Sequence, residues 1–240
     1  MKIDVLPVFG KQLDSQLADT TVIVIDVLRA TTSMICALNG GAAKVVPTVD
    51  AGDAAALASR LGAGECVLGG ERGGIKINGF DLGNSPLEYL TRTVRNKTVI
   101  VSTTNGTGAL HSVRSADRIL LGAMINRMAA AKAAAADRRD VLIVCAGTDG
   151  QPSADDLTTA GAVIDGIRNY AELGPGDLSD MAIICETLYL DWSTGRFDMS
   201  SIRHYRRLER LGFTEDLKFC FTPDTTDTVP VYKDGVIVKL

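Results

Sequence analysis

Residues 21–27 read TVIVIDV. Val22 through Ile25 form an unbroken β-branched run that closes on a carboxylate, Asp26. A strand with one wet face alternates apolar and polar residues, whereas an unbroken apolar run suits a strand covered on both faces. The same reading applies to 98–102 (TVIVS), 118–121 (RILL) and 141–145 (VLIVC). Weaker strands are expected over 44–47 and 66–68, and an edge strand over 3–8. Helical patterns lie between: 31–38, 50–61 with Asp50 as N-cap and Gly62 as stop, the Ala-rich 126–138, and 153–171. In the last, Ala160, Val163, Ile164 and Ile167 recur at helical spacing. Alternating strand and helix predict an α/β protein, a layered α/β/α arrangement on a largely parallel or mixed sheet. Past residue 173 the pattern changes to helices over 178–190 and 200–211. A strand-turn-strand ending follows over 222–240, with its turn at Lys233-Asp234-Gly235.

The 240 residues suit one domain over 1–240, or two α/β subdomains, 1–120 and 121–240, sharing an interface. A net charge of −4 and the lack of any dominant Lys/Arg cluster give no footprint for nucleic acid. No apolar run approaches the roughly 18–20 residues of a membrane helix, and Asp4 interrupts the N-terminal apolar stretch. A cytoplasmic protein is expected. Cys36, Cys66, Cys145, Cys185 and Cys220 are odd in number and contain no CxxC pair, which fits reduced thiols. With only His111 and His204 available, a His-rich zinc site is not expected. Both histidines read as structural or solvated, His204 on an amphipathic helix among arginines that could reach a partner subunit.

Three buried runs end alike. VIVID passes into VLRATTS, VIVS into TTNGTGA, and VLIVC into AGTDGQPSADD. In open α/β sheets ligands bind beyond the carboxyl ends of the strands, where helix starts offer amides to anions. Asp26 at such an end is costly to bury alone; a metal ion or Arg29 compensates it, or loop amides bind it. Glu71, Arg72, Asp81, Asn84 and Ser85 lie in the glycine-rich stretch 69–86, where Ser85-Pro86 resembles an N-cap and first helical residue. Thr103, Thr104, Asn105, Gly106 and Thr107 form a third polar group, which also reads as a plain strand-to-helix turn. Thr148, Asp149, Ser153, Asp155 and Asp156 form a fourth, with Ser153 and Asp155 suited to capping.

Residues 66–72 (CVLGGER) match the C-x5-R spacing of cysteine phosphatases. Here Glu71 falls inside the would-be phosphate cradle and Cys66 begins a strand rather than ending one, so Cys66 reads as a packed thiol. The aspartyl-phosphatase start D-x-D-x-T also fails, because Leu28 stands where the second Asp belongs. Walker A, GxGxxG, HExxH and G-x-S-x-G patterns are missing.

VIDVLRATTS, GERGGIKINGFDLGNSP, STTNGTGAL and AGTDG…DD, in that order, resemble the 2-phosphosulfolactate phosphatase family. YRRLERLGFTEDLKFC followed by VP is similar to its tail. One departure is Asp155-Asp156 where the family often carries Glu-Asp. The resemblance implies a Mg²⁺-dependent hydrolase that takes phosphate from 2-phospho-3-sulfolactate, a step toward coenzyme M. On this basis Asp26, Glu71 and Asp156 are expected to supply or orient Mg²⁺ ligands, with Arg29 and Arg72 clamping phosphate or sulfonate. Asn84, Ser85 and Asn105 would position substrate, aided by Thr103, Thr104, Gly106 and Thr107. The nucleophile is either a metal-activated water or Asp26 itself. The expected partner is a small phosphorylated anion, whose sulfonate the arginines beside His204 could reach; the alternatives are a same-mechanism phosphatase acting on another phosphorylated hydroxy acid, and a binding protein without turnover. A homodimer is the base-rate expectation.

Overall fold

The computed structural model describes residues 1–10, 17–62 and 64–240. Strands are β1 (Ile3–Leu6), β2 (Thr20–Ile25), β3 (Lys44–Thr48), β4 (Cys66–Arg72), β5 (Ile75–Lys76), β6 (Thr98–Ser102), β7 (Arg118–Gly122), β8 (Asp140–Cys145), β9 (Pro230–Lys233) and β10 (Val236–Lys239). Helices are α1 (Ala30–Asn39), α2 (Ala51–Leu61), α3 (Pro86–Tyr89), α4 (Gly106–Ser112), α5 (Arg127–Ala136), α6 (Ala154–Ile167), α7 (Asp180–Ser193), α8 (Arg203–Arg210) and α9 (Thr214–Cys220).

The strands form one mixed sheet in the order β1-β8-β2-β7-β9-β10-β3-β6-β4-β5. Two parallel blocks, β1-β8-β2-β7 and β3-β6-β4, flank the antiparallel hairpin β9–β10. Strands from both halves of the chain alternate across it: β8 lies between β1 and β2, and the hairpin between β7 and β3. The expected α/β class, with a mixed sheet, is what forms.

The unbroken apolar runs follow from the layering. Along β2, Ile23 and Ile25 enter a core with α5, α6 and α7, while Val22 and Val24 enter another with α1 and α4. Both faces are therefore dry, so period-two polarity is lost. Asp50 caps α2 by accepting from Gly52 N at 2.6 Å, and Gly62 ends it at φ +94°.

Some boundaries differ from expectation. Leu178 bridges Ile3 in extended form, so α7 starts only at Asp180, capped by Ser179. Ser85 and Ser153 occupy N-cap positions, but neither side chain caps its helix. Helix α9 went unpredicted. Among the described residues no helix is long and apolar enough to cross a membrane.

Candidate active site

The loops after β2, β6 and β8, with the end of β4, meet at one cleft, closed over by α8. Asp26, Arg29, Glu71, Asn84, Thr104 and Asn105 line it, as expected from sequence, and Asp149, His204, Arg207 and Leu208 join them. The space enclosed, mouth included, is about 540 Å³.

Buried carboxylates tie these loops together. Glu71 accepts from Thr104 N through Oε1 at 2.7 Å and from Gly74 N through Oε2 at 2.6 Å. It thus binds the end of β4 to the turn after β6. Asp156 accepts from Val27 N and Gly147 N, both at 2.9 Å, joining the loops after β2 and β8. Asp26 accepts from Ala30 N through Oδ1 at 3.1 Å. Its Oδ2 lies against Gly106, where a Cβ would sit 2.8 Å away, so residue 106 has room only for hydrogen. Thr103 and Thr107 secure the start of α4: Thr107 N donates to Thr103 Oγ1 at 3.2 Å, and the Thr107 hydroxyl to Thr103 O at 2.9 Å. They shape the turn and do not line the cleft.

Four residues take a different form from the one expected. Arg72 turns out of the cleft and donates to Glu71 O, Val49 O and Ser102 Oγ at 2.7, 3.0 and 2.8 Å. The carbonyls of its own neighbourhood hold it, so it is not placed to clamp a ligand there. Arg29 lines the cleft, yet Asp216 of α9 takes its Nη1 at 2.6 Å, Gly74 O its Nη2 at 3.0 Å, and Phe213 stacks 3.8 Å beneath it. Ser85 gives its hydroxyl to the other Asp216 oxygen at 2.6 Å. Asp156, expected beside the metal, spends both oxygens on amides. Among the described residues no group of three or more His, Cys, Asp and Glu is arranged to hold a metal ion.

Sequence reasoning missed Asp216 and the partner of Asp155. Asp155 is 1% exposed and pairs with His204, whose Nδ1 lies 2.9 Å from Oδ2; Ser153 Oγ donates to Oδ1. Thr148 Oγ1 lies 3.1 Å from the same ring nitrogen. His204 is therefore not on a solvated face, and Asp155 is not merely a helix cap. The available signal was Leu208, the apolar residue in RHYRRLER that is 2% exposed. Position 204 is one turn before it and shares its inward face, and Arg207 lies one turn after His204.

Burial, first, with the Glu71 and Asp155 charges, pushes the Asp26 carboxyl from 3.8 to about 6, against the Ala30 N–H and His204. Burial opposes the charged forms of Asp155 and His204, but their mutual bond outweighs it. The Asp155 carboxyl is held low and the His204 imidazolium is favoured. Asn84 Oδ1 is buried without a partner, a costly arrangement for a carbonyl oxygen unless a bound species satisfies it. Cys66 starts β4, with its thiol pushed up by burial first and then Asp81, which makes it a poor nucleophile.

A polar cleft at the carboxyl ends of parallel strands, carrying a His–Asp pair and an unsatisfied oxygen, defines an α/β enzyme with a small-molecule site. Comparison narrows the class. The family model of the 2-phosphosulpholactate phosphatases matches residues 9–235, and the chain belongs to that family. A relative from Caldanaerobacter subterraneus subsp. tengcongensis is 42% identical over 225 residues, covering 93% of this chain and 92% of its own. Relatives from Clostridium novyi and Clostridium tetani are 37% and 38% identical, covering 100% and 99% of this chain and all of their own. All three are named Probable 2-phosphosulfolactate phosphatase.

Proposed function

We propose that this chain hydrolyses 2-phospho-3-sulfolactate to 3-sulfolactate and inorganic phosphate, with Mg²⁺ as its metal, as a step of the coenzyme M type. The observation that carries the reading is the family match across residues 9–235.

The donor set suits a hard cation. Mg²⁺ binds oxygen, takes one or two carboxylates directly, and fills its shell with water and substrate. Asp26, Glu71 and the partnerless Asn84 Oδ1 are oxygen donors on one cleft. Asp26 and Asn84 would hold the ion directly or through water, and Glu71, whose two oxygens already accept amides, through water, whereas Asp156 lies outside the cleft lining and would not. When bound, the ion would offset phosphoryl charge.

The other groups belong to the chain. Arg207 is 43% exposed, held by Gly73 O at 3.3 Å and Asp149 at 3.6 Å. Those contacts are long, so its guanidinium can take the substrate's sulfonate or carboxylate. Arg29, fixed by and paired with Asp216, forms a rigid part of the wall. Asn105 and the Thr104 turn position the phosphate. The incoming oxygen is assigned to water, because Asp26 is held in the wall by Ala30 N–H and Gly106 rather than aimed along a line of attack. Borohydride added during turnover should leave Asp26 unreduced; its conversion to homoserine would mean an aspartyl-phosphate.

The deciding assay is phosphate release from synthetic phosphosulfolactate with Mg²⁺ and with EDTA. Release that EDTA abolishes and Mg²⁺ restores supports the reading. Release indifferent to EDTA removes the metal, release only from other phosphorylated hydroxy acids moves the substrate, and binding without release makes the chain a binding protein.

A further inference from the structure

Phosphate ester cleavage leaves an electron pair on the departing oxygen. For a phosphorylated 2-hydroxy acid that oxygen becomes a secondary alkoxide, a strong base that leaves poorly unless it is protonated. A cation at Asp26, Glu71 and Asn84 and an arginine at the second anion both serve the charged ends of the substrate. Neither delivers a proton to the oxygen between them.

The titratable side chains lining the cleft are Asp26, Glu71, Asp149, Arg29, Arg207 and His204. Arginine does not give up its proton in the neutral range, Asp26 and Glu71 are assigned to the cation, and Asp149 is 58% exposed and faces Arg207. His204 remains. Its side chain is 14% exposed, and its Nδ1 is fixed between Asp155 Oδ2 and Thr148 Oγ1 at 2.9 and 3.1 Å. With Nδ1–H committed to a carboxylate, Nε2 is the ring's remaining polar atom. Asp155 is itself anchored by Ser153 and is 1% exposed, so the imidazole has little freedom to turn.

We infer that His204, oriented by Asp155, is the general acid that protonates the leaving oxygen. The inference rests on the proposed phosphatase reading. In the step, water oxygen bonds to phosphorus while the bond from phosphorus to the C2 oxygen breaks, its electron pair staying on that oxygen. The Nε2 proton passes to it, giving the free hydroxy acid. The proton shed by the attacking water restores the imidazolium, so one water is consumed and one alcohol and one phosphate are formed. The charges facing the ring agree with this role: Asp155 from α6 and Asp26 from the β2 loop favour the protonated form, against burial and Arg207 of its own helix.

The test compares leaving groups. In H204Q, which keeps an N–H toward Asp155, kcat on phosphosulfolactate should fall by about 10²–10⁴-fold. On p-nitrophenyl phosphate, whose phenolate leaves without a proton, the loss should stay below about tenfold. D155N, which keeps the histidine but loses the carboxylate that sets its tautomer, should fall between H204Q and wild type with the same leaving-group bias. Thermal unfolding checks that both variants are folded. Equal losses on the two esters, or an alkyl-ester loss under tenfold, overturn the assignment. Should wild type not cleave the aryl ester, the pH profile on phosphosulfolactate decides. Its alkaline limb should vanish in H204Q, and an unmoved limb overturns the role. Wild type inactive on phosphosulfolactate removes the phosphatase reading and the acid with it. Active wild type with an unimpaired H204Q removes the acid alone.

Discussion

At pH 7.5 and without metal, Asp26→Asn should make the protein more stable and catalytically dead. Asp26 is 6% exposed, and burial first, then Glu71 and Asp155, raise its carboxyl from 3.8 to about 6. A carboxyl with a higher folded than unfolded value holds its proton more tightly when folded. Its stabilising effect is therefore present at low pH and is lost as pH rises from 3.8 through about 6. At ~1.4 kcal/mol per unit, the ionised side chain costs the fold about 3 kcal/mol above that window. Asparagine keeps an oxygen for the Ala30 N–H and carries no charge. The midpoint should rise by about 6–12 °C for a chain of this size. Thermal or urea unfolding in EDTA measures it at pH 7.5 and again at pH 4.5, where the gap should shrink to about 1 kcal/mol. Mg²⁺ should then narrow the gap at pH 7.5 by stabilising wild type alone. A variant no more stable than wild type at pH 7.5, or a gap equal at both pH values, would refute the buried-charge reasoning.

Asp216→Ala strands the Arg29 charge in a pair whose side chains are 1% and 5% exposed, so urea midpoints should show a loss of about 3–5 kcal/mol. Glu215→Ala breaks a pair that is 65% and 73% exposed and should leave the urea midpoint essentially unchanged. Arg207→Ala should raise KM for phosphosulfolactate about 10- to 100-fold, with a smaller effect on kcat. Arg72→Ala, out of the cleft, should leave both constants within about twofold; steady-state kinetics reads the two side by side. Gly106→Ala pushes a methyl into Ala30 and Asp26, and should cost about 1–3 kcal/mol in unfolding assays along with most of kcat.

The strands were legible because burial on both faces writes itself as an unbroken Val/Ile run, and β2, β6 and β8 each end in the polar loop their sequence announces. Asp26, Glu71, Asn84, Thr104 and Asn105 come together because those loops share an end of the fold. Arg72 was misread because adjacency to Glu71 in sequence says nothing of side-chain direction. In a strand, neighbouring side chains point to opposite faces, and Arg72 follows that rule away from the cleft. Asp216 was hidden on α9, a helix of seven residues, too short for its periodicity to rise above a polar loop. His204 was hidden by its arginine neighbours, since a charged helix reads as solvated until its single inward apolar residue, Leu208, is used to set the face.

Asp155 and Asp156 carry the more general lesson. A carboxylate in a loop beyond a strand can hold a ligand, or it can hold the loop. Loops lack the ladder of backbone bonds that fixes a strand, so a site built on several of them needs other ties. Glu71, Asp155, Asp156 and Asp216 each bond two partners and supply those ties, while Asp26 gives one oxygen to an amide and rests the other on Gly106. Residue type and spacing are the same for both uses, and only partner geometry separates them. The ties leave the cleft rich in buried negative charge, with Arg29 already committed to Asp216. His204, Arg207 and a bound cation are the charges that can balance it. The acids that organise the loops thereby create a demand for balancing positive charge and hold the histidine in place.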